Sequence, residues 1–132
     1  MAEGAYGYET RLDGVSFEDA MERLVTALRE EGFGVLTEID VKATLKKKLN
    51  VDFRRYVILG ACNPDLARRA LEIDAQIGLL LPCNAVVQEL PGPSVSVSIV
   101  NPRAQFQVTA NPALEPVVQE VQQRIGRVLE AL

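Results

Sequence analysis

Two stretches, one near each end of the chain, place apolar residues along a single helical stripe. Phe17, Ala20, Met21, Leu24, Val25 and Leu28 follow the spacing of one helix face. Leu114, Val117, Val118, Val121, Ile125, Val128 and Leu129 do the same in a last helix over about 113–131. Pro116 must fall in that helix's first turn, because deeper in it would remove a backbone hydrogen bond. A helix that is apolar on one side only needs a surface to lie on, and the segments between the two supply strands. Ser94, Ser96 and Ser98 alternate with Val95, Val97 and Ile99, a period of two with one wet face. Pro91-Gly92-Pro93 turns the chain into that strand from a preceding one that is clearest from Ala85 onward, so the two read as an antiparallel hairpin.

The remaining elements follow from local chemistry. Tyr6, Tyr8, Thr10 and Leu12 alternate as a first strand. Ser16 is placed to cap the first helix and Gly32 to end it. Phe33, Val35, Thr37 and Ile39 predict a second strand with one apolar face. Asp40 can cap a short helix bearing Val41, Leu45 and Leu49, with Asn50 as a left-handed exit. Tyr56 to Ala61 is a continuous apolar run, as in a central strand. Asn63-Pro64 begins a third helix, running to Ile77-Gly78 with Leu66, Ala67, Ala70, Leu71 and Ile73 turned inward. Asn101 to Ala110 reads as irregular. Strand-helix-glycine-strand occurs twice, with Gly32 and Gly78 in matching places, which either duplication or similar local physics explains. The order β-α-β-α-β-α-β-β-α predicts an α+β fold. It has two layers: a mixed, mainly antiparallel sheet of about five strands, with helices on one face.

A chain of 132 residues is expected to form one domain, 1–132, with a core of its own. It has no histidine, which removes the commonest general base and metal ligand. A net charge of -4 argues against nucleic acid and anionic membranes as partners. Two cysteines do not make a disulfide framework, and Met1 to Gly14 lacks the apolar segment of a signal peptide. The expected location is the cytoplasm, where both thiols stay free.

The most individual stretch holds both cysteines. It reads Ile58-Leu59-Gly60-Ala61-Cys62-Asn63-Pro64, then Gly78-Leu79-Leu80-Leu81-Pro82-Cys83-Asn84. Together with Gly34-Val35-Leu36-Thr37-Glu38-Ile39-Asp40-Val41, these motifs make the chain from Gly32 to Val87, and more weakly from Phe17 to Asn101, resemble the prokaryotic domain-of-unknown-function family 302. The resemblance implies a small α+β fold comparable in shape with half of a TATA-box-binding protein. It implies no DNA binding, no reaction and no cofactor.

Candidate sites come from this stretch and its flanks. Cys62 just precedes a helix start, where the macrodipole favours a thiolate; the alternative role is a small buried apolar side chain. Asn63 is a cap, and Asn84 is left free to bond a loop or a ligand. A helix of about a dozen residues carries the chain ~18 Å away, and Leu79 to Pro82, if extended, returns ~13 Å, so Cys83 comes most of the way back to Cys62. Glu38 and Asp40 can move protons beside the thiols, or serve as a solvated carboxylate and a cap. Structural zinc wants four ligands at short spacings, so no metal is expected. Lys42, Lys46, Lys47, Lys48, Arg54 and Arg55 form one basic cluster, either a docking site for an anion or a solvated face.

Three functions fit. The first is a binding module whose small-molecule or partner pocket is lined by Cys62, Asn63, Pro82, Cys83 and Asn84. The second is a thiol-dependent redox or sulfur-handling protein with Cys62 as the reactive thiol. The third is a structural homodimer.

Overall fold

The computed structural model describes residues 1–132. One sheet of six strands is covered on a single face by helices. The strands are β1 (Ala2–Glu3), β2 (Gly7–Asp13), β3 (Gly34–Asp40), β4 (Tyr56–Cys62), β5 (Cys83–Leu90) and β6 (Ser94–Val100). The helices are α1 (Phe17–Glu30), α2 (Val41–Leu49), α3 (Pro64–Ile73), α4 (Pro102–Gln107) and α5 (Glu115–Glu130). The spatial order is β1-β2-β6-β5-β4-β3, and every pairing is antiparallel. The α+β, two-layer expectation holds, with one more strand than expected and no parallel pair.

Both helical stripes face the sheet as their spacing requires. Phe17, Ala20, Leu24 and Leu28 of α1 and all seven stripe residues from Leu114 to Leu129 are buried. They meet Val57, Leu59, Ala61, Ala85, Val87, Val95, Val97 and Ile99 from the inner faces of the strands. The expected caps are in place: Ser16 accepts from Asp19 N, Asp40 from Ala43 N and Asn63 from Leu66 N, and Asn50 is left-handed. Each such cap is worth about 1 kcal/mol. Pro116 lies in the first turn of α5.

Four local expectations give way to the fold. α3 ends at Ile73, not Gly78, because Asp74 caps a new 3-10 turn over Ala75–Leu80; Leu71 at 42% and Ile73 at 40% exposure are not turned into the core. Leu79 and Leu80 are therefore helical, and the chain becomes extended only at Leu81. The serine face of β6 is not wet. β6 lies between β2 and β5, and longer side chains from β2 cover it: Ser96 Oγ donates to Glu9 Oε2 at 2.9 Å, and Ser94 Oγ donates to Asp13, which Arg11 also holds. Ser96 is wholly buried as a result. β3 has no apolar face, because a bulge between Val35 and Thr37 breaks its alternation and all seven residues are exposed at the sheet edge. Residues 101–110 are not irregular throughout, since α4 occupies 102–107.

Candidate functional site

The end of β4 and the start of β5 form the site. The apolar run from Tyr56 makes β4 an interior strand, and its last residue is Cys62. Asn63 then caps α3, its side chain also lying against Gly32, whose φ of +83° and lack of a Cβ leave room for the amide. On the return, the Leu81–Pro82 bond is cis and Cys83 opens β5 as the register partner of Ala61. Gly60, the partner of Asn84, permits a second close approach. A Cβ there would stand 2.8 Å from Pro82 Cγ and collide with Thr37 Oγ1.

Cys62, Asn63, Pro82 and Cys83 thus border one narrow crevice of about 30 Å³, closed off by Leu66 of α3, Phe106 of α4 and Val117 of α5. That volume holds about one or two waters. Its walls are almost entirely apolar. α4 fixes the turn that forms one wall: Gln105 Nε2 donates to the carbonyls of Leu80 and Pro82, and the Cys83 thiol donates to Gln105 Oε1 at 3.7 Å.

Both cysteines are free. Burial raises the pKa of the Cys62 thiol, the direction opposite to the one expected from the helix start. Burial, with a smaller contribution from the charge on Cys62, pushes Cys83 up to about 11. Both are neutral thiols at pH 7. Cys83 shares the inward face with Ala61 and Ala85, and strand alternation turns Cys62 toward the other face, with Gly60. Adjacent in the sheet, the two therefore diverge, against the geometry a disulfide bridge needs.

The other sequence candidates lie elsewhere. Asn84 is exposed and outside the crevice. Glu38 and Asp40, partners of Leu59 and Val57, line a separate groove with Phe17, Met21 and Arg55, and Asp40 caps α2. No three cysteine or carboxylate side chains gather closely enough to ligate one metal ion. The basic cluster is split: Arg55 pairs with Glu18 at 2.6 Å and stacks on Phe17, whereas Arg54 bonds Gln88 and stacks on Phe53. No helix is long and apolar enough to cross a membrane.

Gln105 and Phe106 escaped the sequence reading, although a signal was present. Asn-Pro, the pair that starts α3, recurs at Asn101-Pro102 and Asn111-Pro112, and each of these asparagines also caps a helical turn, accepting from the backbone N–H two residues on.

Comparison with known proteins agrees with this architecture. A solved crystal structure of an uncharacterized conserved protein DUF302 from Bacillus stearothermophilus superimposes with a TM-score of 0.85 at 30% identity, covering 95% of this chain and 96% of that one. No curated protein matches the sequence. The family model for the domain of unknown function DUF302 matches residues 8–132, and the chain belongs to that family.

Proposed function

We propose that the protein is a binding module that seats a small apolar group in the crevice between β4, β5, α3, α4 and α5. The observation that carries this reading is the convergence of four motif residues, Cys62, Asn63, Pro82 and Cys83, on one apolar crevice. Ligand sites are typically apolar with few polar fixtures, and here the one thiol on the inward face is that of Cys83, neutral and held by Gln105. The volume limits the occupant to a slender group, such as the end of an alkyl chain or one aliphatic side chain of a partner. Raised thiol pKa values work against the alternative of an activated thiolate.

Xenon, the smallest general apolar probe, tests this directly. Under xenon pressure the methyl resonances of Ala61, Ala67 and Ala70 should shift in a saturable way, and Ala67→Leu should abolish the effect. Methyl shifts no larger than those of exposed alanines would rule the crevice out as a binding site.

A further inference from the structure

The Phe106 wall of the crevice also borders a second space, a surface groove of about 480 Å³ between α4 and the start of α5. Phe106 is the one residue that lines both, and it is buried. The apolar stripe of the last helix continues from one to the other: Leu114 and Val118 line the groove, Val117 and Val121 the crevice. The crevice alone takes only the end of a chain, whereas the groove has the volume of a small-molecule site.

The backbone at Phe106 is held on both sides. Its carbonyl accepts from Thr109 N at 3.1 Å and from Thr109 Oγ1 at 2.8 Å, and the preceding Gln105 is tied to the carbonyls of Leu80 and Pro82. The freedom that remains is rotation of the ring about its side-chain bonds, and the groove gives it room to turn into.

Taking the crevice as a binding site, we propose that Phe106 is a movable partition. Crevice and groove then form one site for an unbranched aliphatic molecule with an uncharged polar head, its tail in the crevice and its head in the groove. The narrow crevice selects the unbranched tail. The groove selects the head. Its two charged residues, Arg103 and Glu115, bind each other through two hydrogen bonds of 2.8 and 3.0 Å, so neither is free to receive an ionic group. Beside them Gln107 and Asn111 carry neutral amides.

Titration with n-hexanol, followed by methyl NMR, tests the proposal. Ala67 and Ala70 in the crevice and Leu114 and Val118 in the groove should shift together, with one Kd. Phe106→Ala should tighten binding roughly tenfold, because no ring has to be displaced, and Phe106→Leu should act in the same direction with less disturbance of the core. Gln107→Trp, at an exposed position, should fill the groove and weaken n-hexanol while leaving the xenon shifts of Ala67 and Ala70 unchanged. Shifts confined to one set of methyls overturn the proposal, as does n-hexanol affinity that is unchanged or weaker in folded Phe106→Ala or Phe106→Leu. Xenon binding without n-hexanol binding overturns the joined site and leaves the crevice standing; absence of both removes the crevice as well.

Discussion

Replacing Gly60 by alanine should destabilise the domain through one identifiable contact. The added Cβ would collide with Thr37 Oγ1 and stand 2.8 Å from Pro82 Cγ. The two neighbours differ in freedom. Thr37 is exposed, so its hydroxyl can rotate away. Pro82 is a ring in a turn whose carbonyl Gln105 holds, so it moves only with that turn. Overpacking of this kind costs ~1–3 kcal/mol, and the stiffer unfolded chain of the alanine variant returns ~0.4–1 kcal/mol. The net loss is about 1–2 kcal/mol, which for a domain of this length lowers Tm by about 4–8 °C. Urea unfolding followed by circular dichroism measures the first quantity and calorimetry the second. Thr37→Ala in the Gly60→Ala background should recover less than half of the loss, because the Pro82 contact remains. Displacement of Pro82 should also speed alkylation of Cys62 in the folded protein. Wild-type stability in Gly60→Ala, or full recovery on adding Thr37→Ala, would refute the reasoning.

Two further outcomes follow from the same corner. Gln105→Leu removes the donor to the Leu80 and Pro82 carbonyls and the acceptor for the Cys83 thiol; the domain should lose ~1–3 kcal/mol in urea unfolding. Cys83 should make stability pH-dependent on the alkaline side. Its folded pKa, about 11, lies above the ordinary thiol value, so its contribution is complete below pH ~9 and is lost as pH rises toward 11; the loss is on the order of 3 kcal/mol, and Cys83→Ala should flatten that limb.

The helices that cover the sheet could be read from the sequence because one apolar stripe has one interpretation. The stripe from Leu114 to Leu129 is buried residue for residue. Caps were equally legible, since Ser16, Asp40 and Asn63 act within three residues of themselves. What escaped depends on neighbours distant in sequence. The serines of β6 promise a wet face until Glu9 and Arg11 of β2 are laid over them. The apolar residues of β3 promise burial until the bulge and the edge position expose them. Cys62, Asn63, Pro82 and Cys83 border one crevice, a closeness that motif spacing left open. Asn84 faced away because strand alternation sends it opposite to Cys83, and Gln105 arrived from a helix hidden in a segment read as irregular. The sign of the thiol shifts was out of reach, since it comes from burial, which depends on how distant parts of the chain pack around each cysteine.

The sheet order also has a consequence for biosynthesis. β2 pairs with β6 and lies beside no other long strand, with Tyr8 opposite Ile99. On a ribosome adding 5–20 residues per second, β2 waits between about 5 and 20 s for its partner to be made. During that interval the meander of β3, β4 and β5 can form without it, each strand pairing with the next one synthesised. β2, with Tyr8, Thr10 and Leu12 in strand-forming alternation, has only the two-residue β1 beside it until β6 is made. Its partner-facing charges, Glu9, Arg11 and Asp13, are then a safeguard as well as a cover for the serines, because a charged strand is a poor template for stray pairing while the chain is incomplete.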